Sequence, residues 1–334
     1  MLASFKKFKA WQADFLSRRP HRTLRLTRRR DYVRTLELPG YIAFTYYVSK
    51  TVWSYRKLFI GLAAIYLVLY AILVGLGSQE TYTTLTDTLQ ETNSSIAEGD
   101  LSQLGQASLL FLTIATVGIT STPTESQQIY AVLLALMLWL TTVWLLRNKL
   151  AGHKVKVRDG LYNAGSPIIS TFIVGLILVI QFIPILIALI GYGAASSSGL
   201  LDGGVETMMF WIAASLLGLL SLFWATSTIF GMVIVTLPGM YPLKALRNAG
   251  DLVLGRRVRI LLRWLWMLLM AAIFWAVILI PIILLDLCLK GIWPFFVNIP
   301  LIPVLLAVLG AVSAIWISSY AYLLYRKVVD ERTN

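Results

Sequence analysis

The chain has 334 residues with a mean hydropathy of +0.75, and 58% of its residues are hydrophobic. A soluble domain of this composition would have to expose large apolar patches to water, so the composition excludes one. The formal net charge of +13 would suit nucleic acid, but the basic residues are divided among four separate segments, and no nucleic-acid partner is expected.

Residues 1–57 form a basic arm ahead of the first long apolar run. Near its start, apolar side chains recur at three- and four-residue spacing opposite Lys6, Lys7 and Asp14, which predicts an amphipathic helix. These apolar residues are Leu2, Phe5, Phe8, Trp11 and Phe15. The pattern fits a helix at a lipid interface and equally a helix that packs on the protein's own cytoplasmic face.

Six charge-free apolar windows follow, and each can supply the roughly 20 residues that cross a bilayer core of about 30 Å. They predict an all-α, polytopic transmembrane helical bundle at residues 58–328, with a tail at 329–334. The expected spans are about 58–77, 129–146, 168–190, 207–237, 264–285 and 299–325. Pro184 and Pro281 interrupt the third and fifth spans and are expected to kink their helices, because proline removes a helix hydrogen bond.

The basic residues fall almost entirely on one side of these six spans. Of the 29 Lys and Arg residues, fourteen lie in the arm, five at 147–158, six at 244–263 and three after Tyr325. Only Lys290 lies on the other side, together with nine of the 16 carboxylates. Because cytoplasmic loops retain Lys and Arg, the distribution predicts a multi-pass protein with both termini in the cytoplasm.

Residues 101–124 contain an apolar stretch that is too short to span. We expect a short helix at 108–116 that ends before Gly118 and belongs to a non-spanning outer hairpin, which is either re-entrant or interfacial. The string that follows partly matches the Thr-Val-Gly-Tyr-Gly filter of potassium channels, although Thr120 replaces the second glycine. As an alternative, the pore residues would be Thr116, Val117, Gly118, Ile119 and Thr120.

Signatures of catalysis are not visible in the sequence. His21 and His153 are isolated in basic segments, and the single Cys288 cannot form an intramolecular disulfide or a cysteine metal site. Glycine-rich phosphate loops and nucleophile motifs do not occur. We therefore expect a protein that is not an enzyme, with no catalytic residues, no cofactor and no metal.

The segment 244–263 is the best candidate for a binding surface. It combines a helical apolar stripe, made by Ala245, Leu246, Ala249, Leu252 and Val253, with several bases. Such a helix would lie at the inner surface with its bases toward anionic lipid headgroups. The predicted headgroup-binding residues are Lys244, Arg247, Arg256, Arg257, Arg259 and Arg263. A helix tucked beneath the bundle, whose arginines only anchor the fifth span, fits the same pattern.

Two short strings recur in the chain. Leu-Pro-Gly occurs at 38–40, before the first span, and at 237–239, before the fifth; Asn-Ala-Gly occurs at 163–165 and 248–250. These repeats fit a unit made of a cytoplasmic approach helix followed by a membrane hairpin, and equally a chance match between segments of similar composition.

Two stretches carry a resemblance to known proteins. The segment 241–263, through Pro242-Leu243-Lys244-Ala245-Leu246-Arg247 and Leu254-Gly255-Arg256-Arg257, resembles the linker of uncharacterised six-span bacterial membrane families grouped with the glycerophosphodiesterase membrane domain. Residues 18–57 look like the arm of membrane proteins from candidate-phylum bacteria. The soluble phosphodiesterase domain is missing, so the resemblance implies a bacterial inner membrane and no reaction.

The sequence thus predicts an all-α inner-membrane protein with six spans, a short outer hairpin helix and amphipathic cytoplasmic helices. Its expected role is that of a membrane scaffold or accessory subunit whose basic cytoplasmic face binds lipid or a partner. The expected partners are the phospholipid bilayer, its anionic headgroups, and a membrane protein or a second copy of this chain. A channel or facilitator that uses residues 101–124 is the alternative.

The topology makes a direct prediction. In a chain whose Cys288 is replaced by Ser, a cysteine introduced by His153→Cys should not react with a membrane-impermeant thiol reagent added to intact cells. The matched variant Ser94→Cys places its cysteine in the outer loop and should react. Labelling of the cysteine at position 153 from outside would exclude the six-span topology.

Overall fold

The computed structural model describes residues 38–74, 125–199, 203–292 and 301–333, and helices account for nearly all of these ranges. All four ranges belong to one compact unit. The helices are α1 (Tyr41–Ser54), α2 (Arg56–Leu73), α3 (Glu125–Leu150), α4 (Val157–Ala164), α5 (Ile168–Gln181), α6 (Ile183–Ser197), α7 (Gly204–Ile234), α8 (Pro242–Val253), α9 (Arg257–Ile292) and α10 (Leu301–Thr333).

Six of these elements are long and apolar enough to cross a membrane: α2, α3, the pair α5–α6, α7, α9 and α10. The prediction of an all-α protein with six spans is therefore confirmed, and the chain is an integral membrane protein. The helices extend beyond several predicted ends, since α5–α6 reaches Ser197 and α10 reaches Thr333. The predicted arm helix and the segment 101–124 lie outside the described residues.

The two mid-span prolines behave differently. Pro184 lies in the first turn of α6, and the helix is broken just before it, where Phe182 separates α5 from α6. Pro281, in contrast, lies inside α9, which continues through it to Ile292. A buried cluster joins α9 to α10 near this proline, whereas α6 has no buried residue. The helix is thus continuous at Pro281, and a kink there stays a prediction.

The core lies mainly along α3 and α10. In the most apolar 18-residue stretch of each, 56% and 50% of the residues are buried, against 6% for α5–α6. One cluster joins α2 to α3, and another joins α9 to α10. The second is reinforced by a buried hydrogen bond, in which Trp275 Nε1 donates to Ser313 Oγ at 2.7 Å. The two central spans thus organise the others around them.

Three short helices, α1, α4 and α8, each precede a span. The Leu-Pro-Gly strings precede α1 and α8, and the Asn-Ala-Gly strings lie in or at the end of α4 and α8. The Leu-Pro-Gly strings, however, adopt different conformations: Gly40 has a φ of −48° and caps α1, whereas Gly239 has a φ of +73° in a turn. In that turn Met240 N donates to Leu237 O, with proline and glycine at the positions that a type II turn favours.

Close packing places two of these short helices on their neighbouring spans. A Cβ added at Gly160 of α4 would lie 2.9 Å from Leu145 of α3. A Cβ added at Gly231 of α7 would lie 3.1 Å from Leu246 of α8. Glycine at both positions therefore allows a short helix to approach a span more closely than a side chain would permit.

Candidate lipid-binding surface and the basic region

The starts and ends of several spans meet in an aromatic cluster. Phe44 of α1 packs edge-on against Tyr320 of α10, with ring centroids 4.9 Å apart and planes at 89°. Phe230 of α7 packs against Trp264 of α9 at 5.3 Å. All four side chains are at most 3% exposed. Tyr320 and Trp264 are 6.4 Å apart, so the cluster is continuous across four helices.

Arg263 lies beside this cluster and is only 6% exposed. Its guanidinium donates to the carbonyl of Pro39 and, at 3.5 Å, to that of Gly40. The same group stacks over the Tyr41 ring at 4.3 Å. A buried charge requires such partners, and here they are the backbone carbonyls of the two residues just ahead of α1; the Gly40 carbonyl also accepts from Phe44 N in the first turn of α1. Arg263 therefore holds the start of α1 against α9.

The apolar stripe of α8 faces the protein. Ala245, Ala249 and Val253 have no exposed surface, and Leu252 is 5% exposed. The helix packs mainly on α7 and also contacts α5. Gly255, with a φ of +78°, then turns the chain from α8 into α9. The apolar stripe therefore packs against the bundle, as in the second alternative given for this segment, and the exposed bases of α8 lie on the opposite face of the helix.

The six predicted headgroup-binding residues do not form one surface. Lys244, Arg247 and Arg259 are exposed, whereas Arg256 and Arg263 are buried at 6% exposure. Arg257 is partly buried and lies over the Phe223 ring at 4.0 Å, with Nη1 donating to the Phe223 carbonyl at 3.3 Å. Only the three exposed bases are therefore placed to meet a headgroup, and binding by them stays a prediction.

Each short helix also exposes an apolar side chain beside a base, which sequence reasoning missed for α1 and α4. In α1, Tyr46 and Trp53 are 67% and 68% exposed on either side of the exposed Lys50. In α4, Tyr162 is 87% exposed and follows Arg158, whose side chain is 90% exposed. In α8, Leu243 is 69% exposed and precedes Lys244. The sequence signal that could have indicated them is an aromatic residue close to a base within a short helix.

We call the short helices and the adjoining span ends the basic region; it comprises residues 38–57, 147–170 and 235–263. Its parts are joined by contacts. Arg147 Nη1, at the end of α3, donates to Thr236 O at 3.1 Å, just after α7. At the start of α4, Val157 lies close to α2: a Cβ added at Gly61 would be 3.6 Å from it. The tertiary structure therefore connects the end of α3 to the segment after α7 and places the start of α4 against α2.

A cavity of about 370 Å³ lies within the basic region, where α3 ends, α5 begins and the chain leaves α7. Its inner wall includes Leu140, Ala164 and Val235, each at most 2% exposed. Its polar lining is contributed by Arg147, Asn163, Ser166, Ser170 and Thr236. Pro238 and Gly239 are exposed at its edge, so the cavity opens to the surface.

The remaining predicted site lies outside the described residues. This is the alternative pore string Thr116–Val117–Gly118–Ile119–Thr120. Within the described ranges, no group of three or more His, Cys, Asp and Glu side chains could hold a metal ion. No protein-family model, curated protein or solved structure matches the chain. The resemblance to six-span bacterial families stays a prediction.

The different environments of Arg263 and Arg259 predict different effects of the same substitution. Arg263→Gln should lower the free energy of unfolding by about 2–3 kcal/mol, because the charge-assisted hydrogen bonds of a buried guanidinium are lost. The matched control Arg259→Gln removes the same charge from an exposed site and should change it by less than about 0.5 kcal/mol. Thermal unfolding in detergent measures both, and equal effects would contradict the assigned role of Arg263.

Proposed function

We propose that this protein is a non-enzymatic scaffold or accessory subunit of the bacterial inner membrane, with both termini in the cytoplasm and a basic face that binds anionic lipid headgroups. One observation carries the proposal: α1, α4 and α8 each expose an apolar or aromatic side chain beside a base. At a membrane surface, the apolar groups enter the acyl boundary while the bases remain at the level of the phosphates.

The exposed bases of α8 and the start of α9 form the strongest part of this face. Lys244 and Arg247 are one helical turn apart, and Arg259 follows after the Gly255 turn. Leu243, Leu254 and Val258 are exposed beside them by 69%, 56% and 69%. Each base near an anionic membrane contributes about 1 kcal/mol before salt screening. Three such bases give at most about a hundredfold preference for anionic lipid.

Replacing the three exposed bases tests this face. The variant Lys244→Gln, Arg247→Gln, Arg259→Gln should retain about tenfold less phosphatidylglycerol, relative to phosphatidylcholine, in native mass spectra of the full-length protein. The loss follows from removing charge, because α8 keeps its buried stripe and should remain folded.

A charge-conserving variant is the matched control. Lys244→Arg, Arg247→Lys, Arg259→Lys preserves all three charges and should retain lipid as the original protein does. If the Gln variant also retains phosphatidylglycerol unchanged, with its helical circular dichroism intact, the three bases only orient the fifth span and the proposed lipid face is wrong.

Flux measurements separate a scaffold from a conduit. Proteoliposomes containing the protein should show ion and small-solute flux no faster than protein-free vesicles of the same lipid. Flux that is present, and is abolished by Gly118→Val, would instead support the channel alternative, because a Cβ there would obstruct a carbonyl-lined filter. A Gly175→Val variant in α5, where a Cβ has open space, is the control.

A further inference from the structure

The cavity between α3, α5 and the segment after α7 has the properties of a ligand site. Its volume of about 370 Å³ falls within the range of roughly 300–1,000 Å³ that small-ligand pockets occupy. Its inner wall is formed by buried apolar side chains, while Asn163 and Ser166 are exposed at its mouth. A group that enters from the surface would therefore meet the polar side chains in a confined space.

Arg147 supplies the charge of this cavity, and its orientation is set by the fold. The bond from Nη1 to the Thr236 carbonyl uses one of the five N–H donors of the guanidinium. It also fixes the planar group against the wall of the cavity, which reduces the entropy lost when a ligand binds. A half-buried, oriented guanidinium is suited to an oxyanion, to which it can donate two parallel hydrogen bonds.

The rest of the polar lining favours the same ligand. Ser166 and Ser170 provide hydroxyl donors, and none of the described residues that line the cavity is acidic. Ser170 lies in the first turn of α5, which has no side-chain cap, and the positive end of that helix adds to the attraction. The cavity thus presents several hydrogen-bond donors in one confined space. A phosphate group, which has several acceptor oxygens, matches these donors better than a ligand with a single acceptor atom.

We propose that this cavity binds a phosphate group, as a mono- or diester, and that it is a site separate from the exposed bases of α8. Two sources carry this chemistry: the headgroup of an anionic phospholipid and a soluble phosphate ester. The inference goes beyond the proposed lipid face, because it depends on Arg147 and Ser170 and on none of Lys244, Arg247 and Arg259.

Two variants of the cavity test the proposal in different ways. Arg147→Gln removes the charge, while Ser170→Leu fills the cavity and leaves the bond between Arg147 and Thr236 in place. Each should weaken binding of dioctanoyl-phosphatidylglycerol by about tenfold or more, measured by titration in native mass spectra of the full-length protein. The control Lys149→Gln removes a base from the same helix outside the cavity and should change the Kd by less than about twofold.

The choice of probe identifies the source of the phosphate. Dioctanoylglycerol, which lacks the phosphate, should not bind at this site. Binding of sn-glycerol 1-phosphate with a similar Kd would identify a soluble ester as sufficient, whereas binding of phosphatidylglycerol alone would identify a lipid headgroup; both results support the phosphate site.

The proposal is overturned if both cavity variants bind phosphatidylglycerol as the original protein does, or if dioctanoylglycerol binds equally well. Ser170→Leu decides the matter if Arg147→Gln does not fold. The cavity titration is repeated in the triple Gln variant of α8, which lacks the exposed bases of the lipid face. The phosphatidylglycerol binding that remains in that variant should be lost on adding Arg147→Gln or Ser170→Leu, so failure of the cavity site and failure of the lipid face are distinguishable.

Discussion

Hydrocarbon offers no partner to a backbone N–H or C=O group, and this constraint orders the whole structure. Every candidate span is a helix that satisfies its own backbone, and much of the irregular backbone that the structure describes lies in the basic region. The interruption at Phe182 is an instructive exception. There the Phe182 N–H donates to the Val179 carbonyl, three residues back, at 3.0 Å, so the helix tightens into a 3₁₀-type turn just before Pro184.

At the ends of the spans, two arginine side chains donate hydrogen bonds to backbone carbonyls of neighbouring segments. Arg263 donates to the Pro39 and Gly40 carbonyls ahead of α1, and Arg147 donates to the Thr236 carbonyl after α7. In both cases the acceptor lies close to the end of a helix. Both arginines therefore connect neighbouring segments through hydrogen bonds, a role that their charge alone would not indicate. The remaining N–H donors of Arg147 are available to the cavity that it lines.

The short helices combine two surfaces with different roles. In α8, the buried stripe and the close approach of Leu246 to Gly231 attach the helix to α7, while Lys244 and Arg247 remain exposed. α1 follows the same plan, with Phe44 and Val48 fully buried and Tyr46 exposed. A helix attached by one face can hold its bases at a constant position relative to the spans. This geometry is the physical basis for the proposed binding of lipid headgroups by the basic region.

The sequence by itself determined the class of the protein and the number of its spans, because hydropathy depends on local composition and span length on bilayer thickness. It also indicated approach helices through the repeated strings. Only the tertiary structure decided which bases are available: Arg256 and Arg259 are three residues apart, yet one is buried and the other exposed. The cavity at Arg147 was equally invisible, because its walls come from three segments spread over residues 140–240. Burial and cavities depend on contacts between distant segments, which a local pattern does not encode.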